Sequence, residues 1–461
     1  MAEIEKKKRN LLQIRKKCGN FANKLSAMLI GMCMLLDYFV ENYRSIGGEQ
    51  HVSLSVNNGI RDTPNENDPD YGVHRVSNVV KYVKVMAFYG YNSSGKTNLF
   101  LSMYRMRNMI IHSIRLNDGE RLPYEPFVFG GDWENKPTSF RVVFMIGNAT
   151  YDYGFSYNAD AIVSEQLYLK IPGRSRKLCF IREYLKIKPD EAYMTEFAVD
   201  AKQLNANRLL ISLAGQLGGK VSNEVLGWFR TEFDALSGSM DESFGAYTKK
   251  VMAENSPMTK EIKDFIGRFN LGFKDLSARQ IDVDQIQFPA GIPAEILAQI
   301  KSQPIVELNT KHAVYNEHGD VSDERIVSMD DYESEGTIKL VHMSGVLARA
   351  LHYGSTIAID EFDARIHPKI CKEIVNIFNS ATSNPNGAQL LITTHDTNLL
   401  SNKIFRRDQI CFVKQDCCAH SIVYPLMEVT LVNGQAPRSD SNYEKNYLLG
   451  LYDEIPNGRL C

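Results

Sequence analysis

The clearest chemical pattern in the chain is Gly90-Tyr91-Asn92-Ser93-Ser94-Gly95-Lys96-Thr97, which reads G-x-x-x-x-G-K-T. Such a loop cradles phosphates with its backbone N–H groups, while the lysine reaches the β- and γ-phosphates and the hydroxyl holds Mg²⁺. Upstream, 79–89 is rich in β-branched and aromatic residues, the composition of a buried strand. Downstream, Asn98-Leu99-Phe100-Leu101 opens a helical pattern running to about 116. Strand, glycine loop and helix N-terminus then converge on one anion. On this reading Gly90, Asn92, Ser93, Ser94, Gly95, Lys96, Thr97 and Asn98 bind a nucleotide, expected to be ATP, and Thr97 is a ligand of Mg²⁺.

Three later stretches can complete the site. Thr356-Ile357-Ala358-Ile359 is a short apolar strand ending in Asp360 and Glu361. Asp360 there can coordinate Mg²⁺ through water, and Glu361 can polarise the attacking water for in-line hydrolysis. Gln389 to Thr394 is another apolar strand, followed by His395, whose imidazole can touch a γ-phosphate and register its loss. Finally, Glu333-Ser334-Glu335-Gly336-Thr337 leads into an apolar helical run over 338–353. Ser334 and Gly336 at a helix start can bind a second anion, although an ordinary N-cap accounts for the same residues.

The elements that must position these groups follow from periodicity. Strand-like runs between Leu35 and Ser55 flank a turn at 44–48, and 57–70 is a polar loop. Two prolines make 121–127 an extended connector. Alternating runs at 139–146, 150–157, 162–171 and 176–185, the first two joined by Gly147-Asn148, predict an antiparallel meander. From about 195 to 300 the period is helical without a sustained heptad, which predicts a compact helical insert. Short strands follow at 306–308 and 313–315, and the last third alternates strands with helices, the signature of a parallel sheet. The expected organisation is a basic leader over 1–33, an N-terminal lobe over 34–190, a helical insert over 191–304 and a C-terminal lobe over 305–461.

The 461 residues are 44% hydrophobic and 23% charged with a formal net charge of -2, so no overall basic excess calls for a polyanionic partner. The apolar run 27–36 follows a basic stretch but ends at Asp37, too short to span a bilayer, so no membrane partner is expected. The eight cysteines (18, 33, 179, 371, 411, 417, 418 and 461) contain no C-x-x-C pair, and Cys417 and Cys418 are too close for ordinary disulfide geometry. They read as reduced thiols of a cytoplasmic protein. No Ser/His/Asp set and no metal-rich spacing offers a second reaction centre. Arg406, Arg407 and Lys445 read as a solvated basic face, with contact to a partner as the alternative.

The order P-loop, inserted sheet and helices, Ser-x-Gly helix start, Asp-Glu strand and Thr-Thr-His-Asp resembles ABC-type ATPases of the SMC, RecF and OLD group. It is most similar to a bacterial anti-phage set that includes the RloA/AbiL-type ATPases and the ATPase of PARIS systems. The shared pieces begin with Phe39-Val40-Glu41-Asn42-Tyr43-Arg44-Ser45-Ile46. They continue through the P-loop, 333–337, Asp360-Glu361-Phe362-Asp363-Ala364-Arg365-Ile366-His367-Pro368 and 394–400, and end at 442–448 with Ile455-Pro456.

The resemblance implies an α/β fold: a P-loop ABC-type ATPase head with a parallel core sheet, an antiparallel β lobe and the helical insert. It implies ATP and Mg²⁺ as cofactors, with Lys96, Glu361 and His395 as the catalytic residues. Two copies would pair around ATP, as a homodimer or higher homo-oligomer, with Ser334 and Gly336 supplied in trans and Asp363 to His367 at the seam. A separate Toprim- or nuclease-like effector and a phage protein as trigger are the implied partners. The Leu-Ser-Gly-Gly-Gln of transporters is missing, and the connector 123–127 holds no glutamine, leaving only Gln166 on a later strand. The alternative function is a RecF/SMC-like repair ATPase that clamps DNA, for which affinity would fall steeply with salt.

Overall fold

The computed structural model describes residues 33–76, 80–200, 203–236, 241–281, 305–431 and 434–452. The leader expected before Cys33, the stretch 282–304 of the helical insert and the closing Ile455-Pro456 lie outside these residues. The chain forms two compact units, one of Met1–Leu236, Tyr353–Asp360 and Val375–Cys461, the other of Ser237–His352 and Glu361–Ile374.

The first unit is built on two sheets. In one, β11 (Phe233–Leu236), β15 (Thr356–Ile359), β16 (Gln389–Thr393), β5 (Val85–Tyr89), β17 (Ile410–Gln415) and β18 (Ser421–Pro425) are neighbours in that order. All pairs are parallel except β17–β18. Every residue of β5, β15 and β16 is buried, which is why these strands read as unbroken apolar runs rather than alternating ones. Register pairs Ile359 with Ile392, and Ile392 and Thr393 with Ala87 and Phe88. The C-terminal ends of β15, β16 and β5 therefore share one edge, the edge at which open α/β sheets bind ligands.

The other sheet has seven antiparallel strands in the order β10 (Lys186–Pro189), β9 (Lys177–Glu183), β8 (Ile162–Lys170), β7 (Ala149–Tyr157), β6 (Thr138–Ile146), β1 (Cys33–Glu41) and β2 (Gln50–Ser53). Gly147, at φ 58°, turns β6 into β7 as its sequence demands. Between the two sheets lies α1 (Lys96–His112). Its Leu99, Phe100, Met103, Met106 and Ile110 are buried with Tyr38, Val40, Phe140 and Val142 of one sheet and Met86, Phe88 and Leu391 of the other. Phe100 meets Phe88 edge-on at 5.3 Å, and Tyr38 Oη pairs with Ser102 Oγ at 2.7 Å. Side-chain amides join the sheets directly: Gln50 Oε1 of β2 accepts from Val423 N of β18 at 2.8 Å, and Gln389 of β16 reaches β1. Gln389 Oε1 accepts from Leu35 N and Thr356 Oγ1, both at 2.7 Å, while its Nε2 donates to Leu35 O at 2.9 Å.

Several expectations are corrected. The strand read over 79–89 is two: β4 (Lys81–Val83) pairs antiparallel with β3 (Val73–Arg75), and β5 starts after buried Lys84. The ammonium of Lys84 donates to the carbonyls of Asn379 and Asp70, which turns the chain from one sheet into the other. Within the helical span, α2 (Leu210–Gln216), α3 (Lys220–Gly227), α4 (Asp241–Glu254) and α5 (Pro257–Ile266) are helices, but 233–236 is the strand β11 and 275–281 the strand β12. A π-helical turn at Trp228–Glu232 unwinds α3, and Arg107 of α1 donates to the carbonyls of Phe229 and Phe233, fixing the chain as it straightens. Arg406 and Arg407 form no solvated face. Both nitrogens of the Arg406 fork bond Asp408 at 2.9 Å, and those of Arg407 bond Asp62 at 3.0 and 2.9 Å.

The second unit holds the antiparallel sheet β12 (Asp275–Ile281), β13 (Ile305–Tyr315), β14 (Val321–Ser328) and the helix α6 (Glu335–Tyr353). The two runs expected at 306–308 and 313–315 are one strand, because Asn309 and Thr310 between them are buried in the ladder. Helix α4 packs closely on α6: Thr248 Oγ1 donates to His342 O at 2.6 Å, and a Cβ on Gly345 would come within 2.4 Å of that hydroxyl.

Candidate nucleotide-binding site

The chain leaves β5 at Tyr89 and re-enters regular structure at Lys96, with Gly90 to Gly95 as the loop between. Two positions require glycine. At Gly90 a Cβ would lie 2.2 Å from Val413 O; at Gly95, where φ is 107°, it would lie 1.9 Å from Ser421 Oγ. Ser93 is also left-handed, at φ 68°. Alternation between left- and right-handed residues turns successive N–H groups to one side, the arrangement that makes an anion concavity. Lys96 Nζ donates to the carbonyls of Gly90 at 2.8 Å and Tyr91 at 3.1 Å, so the ammonium bridges the loop it would serve. Thr97 is exposed in the first turn of α1, and Ser94 Oγ is buried with no hydrogen-bond partner. An unpaired buried hydroxyl inside a glycine loop is a group that a bound phosphate can satisfy.

Two serines that the sequence reading passed over hold the loop from outside. Ser421 Oγ donates to Ser94 O and pairs with the Ser45 hydroxyl, both at 2.8 Å, and Asn98 Nδ2 donates to Ser45 Oγ at 2.7 Å. The turn carrying Ser45 is itself fixed. Asn42 and Arg44 are left-handed at φ 52° and 51°, and the Arg44 fork takes both carboxylate oxygens of Glu125 at 3.1 Å. Arg105 of α1 adds a third contact at 3.2 Å. Burial opposes the charge on Glu125, but the bonds from Arg44 prevail and hold its carboxyl below the usual range. Ser45 lies in the stretch Phe39–Ile46, but nothing local pairs it with Ser421, 376 residues away.

At the same sheet edge, Asp360 is 2% exposed immediately after β15. Thr393 Oγ1 donates to its Oδ1 at 2.6 Å, and its own N–H donates to Leu236 O at 3.2 Å. A buried carboxylate oriented through one oxygen suits the donor chemistry of Mg²⁺, and so does the exposed Thr97 hydroxyl. One strand over, Thr394 N donates to Phe88 O at 3.2 Å and His395 is exposed at the strand end. The segment beyond His395 is anchored: Asp396 N bonds Thr394 Oγ1 at 2.9 Å, and Thr397 Oγ1 donates to Glu444 of the C-terminal helix Tyr443–Leu448 at 2.8 Å. The first unit thus gathers the P-loop, Asp360 and His395.

The second unit gathers the rest. Ser334 is exposed and caps α6, its Oγ accepting from Thr337 N at 3.2 Å. A Cβ on Gly336 would meet Arg365 O at 2.5 Å, so the Ser-x-Gly start packs on the stretch 363–367 expected at a dimer seam. Arg365, left-handed at φ 63°, is 3.7 Å from Glu335. Glu361 is left-handed as well, at φ 48°, and its carbonyl accepts from Lys339 Nζ of α6 at 3.4 Å and Ala364 N at 3.1 Å. Gln166 lies on β8 opposite Gly154, in the antiparallel sheet. Among the described residues no cluster of three His, Cys, Asp or Glu side chains is placed to hold a metal ion, and no helix is long and apolar enough to cross a membrane.

A P-loop between a buried parallel strand and a helix, with a carboxylate and a histidine at the ends of the adjoining strands, defines a P-loop nucleotide-binding protein. Residues 85–401 match the family described as "AAA domain, putative AbiEii toxin, Type IV TA system", and the chain belongs to that family. Among solved structures it is similar to the SMC head domain from Thermotoga maritima, at 12% identity and a TM-score of 0.37, over 85% of this chain and 98% of that one. It is also similar to an Smc head domain with an extended coiled coil from Pyrococcus furiosus, bound to the C-terminal domain of ScpA, at 13% identity and a TM-score of 0.37, over 86% and 96% of the two chains. No curated protein is recognisably similar in sequence to this chain.

Proposed function

We propose that the protein is an ABC-type ATPase whose nucleotide sites form between paired copies, and that it regulates a separate effector nuclease in defence against phage. The observation that carries the ATPase reading is the convergence on one sheet edge of the P-loop, the Thr393-held Asp360 and His395. Lys96 and the loop N–H groups would bind the β- and γ-phosphates, and the exposed end of His395 would contact the γ-phosphate. Thr97 and Asp360 would hold Mg²⁺, which neutralises charge on the phosphates when bound. Glu361 would orient and deprotonate the attacking water. Ser334, exposed at the start of α6 with Gly336 two residues on, is available to a second copy. ATP would then bridge two chains, and hydrolysis would change their association, which suits a switch. The anti-phage role and the effector rest on resemblance in the motifs.

A trapped state tests the whole reading. Glu361→Gln protein with ATP and Mg²⁺ should sediment as a stable pair and, purified from its native host, retain a nuclease subunit that ATP hydrolysis releases in the unsubstituted protein. Loss of pairing would refute the shared site. Pairing without a nuclease, together with ATPase stimulated by duplex DNA at low salt, would replace the defence reading with the DNA-clamp one.

A further inference from the structure

The turn between β17 and β18 carries two neighbouring exposed thiols, Cys417 and Cys418; the adjoining Cys417 thiol and the charge of Asp416 raise the pKa of Cys418 above its ordinary value. The turn around them is closely specified. Asp416 N donates to His420 O at 2.9 Å, and Asp416 Oδ1 accepts from both Cys418 N and His420 N at 2.8 Å. Ala419 is left-handed at φ 65°. The His420 ring lies against Gly47, where a Cβ would be 2.9 Å from Cε1, and edge-on to Phe127 at 4.3 Å. The next residue is Ser421, whose hydroxyl clips the P-loop through Ser94 and Ser45. Four other described cysteines differ. Cys179, Cys371 and Cys411 are buried and Cys33 is half-buried. Burial pushes the thiols of Cys33, Cys179 and Cys411 up to about 12, whereas the two turn thiols lie open to a reagent in solution.

We propose that Cys417 and Cys418 are a redox-modification site for low-molecular-weight disulfides of the glutathione-disulfide kind, and that closing them to a vicinal disulfide loosens the Ser421 clip and weakens nucleotide binding. The second half rests on the ATP reading of the P-loop. The Cys417 thiolate attacks one sulfur of the small disulfide, forming a mixed disulfide and expelling one thiolate. The Cys418 thiolate then attacks the Cys417 sulfur, forming the protein disulfide and expelling the second thiolate. Two protein thiols are oxidised, one disulfide is reduced to two thiols, and the two protons leave with the expelled groups. The new ring encloses the peptide between the cysteines, and closing it would displace Cys418 N–H from its bond to Asp416 Oδ1. The displacement falls three residues from Ser421. A strained, exposed disulfide of this kind is readily reduced again, as a reversible modification requires.

The test uses full-length protein equilibrated in glutathione buffers of increasing oxidation, with peptide mass mapping and titration of a fluorescent ATP analogue on the same samples. The expected result is loss of two hydrogens from the peptide carrying Cys417 and Cys418, while Cys179, Cys371 and Cys411 stay reduced. The Kd for the analogue should rise roughly tenfold in step and recover with dithiothreitol, the scale of losing one or two hydrogen bonds. Cys418→Ser should stop at a glutathione mixed disulfide on Cys417, and the double variant Cys417→Ser/Cys418→Ser should keep the reduced-state affinity throughout. Thiols that stay reduced in the oxidising buffers, or a disulfide that forms with unchanged affinity, would overturn the proposal. If the reduced protein binds no analogue, the ATP reading fails instead, and the mass map still judges the thiol chemistry.

Discussion

Thr393 Oγ1 donates a hydrogen bond to Asp360 Oδ1 across 2.6 Å, linking the ends of two neighbouring parallel strands. On the proposed reading Thr393 is a positioning residue: it would fix which carboxylate oxygen of Asp360 faces a metal. Replacing it with valine keeps shape and burial but removes that orientation. Thr393→Val should raise the Mg²⁺ concentration for half-maximal ATPase activity by roughly tenfold, about the worth of one charge-assisted hydrogen bond. Thr393→Ser should restore the original requirement, and a rise in ATP KM alone, with no change in Mg²⁺ dependence, would contradict the role.

Binding and chemistry should separate cleanly between two residues. Lys96→Ala removes the ammonium that bridges Gly90 and Tyr91, and nucleotide affinity should fall by at least about a hundredfold. Glu361→Gln should bind ATP as the unsubstituted protein does and hydrolyse it at least about a hundredfold more slowly, the usual range for a general base. Equal turnover for Glu361→Gln and the unsubstituted protein would remove Glu361 from the mechanism.

Gly95 faces two independent demands, its φ of 107° and the approach to Ser421. Gly95→Ala should therefore cost about 1–3 kcal/mol of stability, seen in urea unfolding, and abolish nucleotide binding. Adding Ser421→Gly relieves the contact but not the backbone strain, so stability should recover only in part. Full recovery in the double variant would show that the conformation at Gly95 does not matter.

Lys84 gives a pH dependence with a definite sign. Burial pulls its ammonium down to about 8 from 10.5, against the opposing pull of Asp68 and Asp70. Between those two values the unfolded chain holds a proton that the folded chain has released, so stability rises with pH across the window. Below about 8 both states are protonated and the burial penalty is felt in full. The swing is of order 3 kcal/mol. Lys84→Met removes it: relative to the variant, the unsubstituted protein should gain stability by about that amount between pH 7 and pH 10.5. A stability difference that does not change with pH would refute the account.

The parts of the site carried by local pattern were legible in the sequence. The P-loop, α1, and the strands ending at Asp360 and Thr393 lie where their composition puts them, because a strand buried on both faces must be apolar throughout. The β6–β7 turn was legible for the same reason, through Gly147. Strand β11 was hidden, since its four residues follow a π-helical turn inside a helical period and no turn signal precedes them. The pairs Arg406–Asp408 and Arg407–Asp62 were misread as a solvated surface, because charge in a sequence does not reveal whether its partner lies 2 or 345 residues away. Ser45 and Thr393 lie inside recognisable stretches whose residue types do not disclose what these hydroxyls bond, and Ser421 lies in none. Their roles exist only once the sheet brings them to the loop.

The Gln389 amide shows what that assembly does mechanically. It occupies β16, next to the P-loop strand, yet it serves the β1 backbone as a neighbouring strand would, supplying both a donor and an acceptor to Leu35. The two sheets of the first unit are thereby coupled at Gln389, as they are where Val423 N bonds Gln50 Oε1. A displacement of β16 would bear on β1 directly, through the backbone of Leu35.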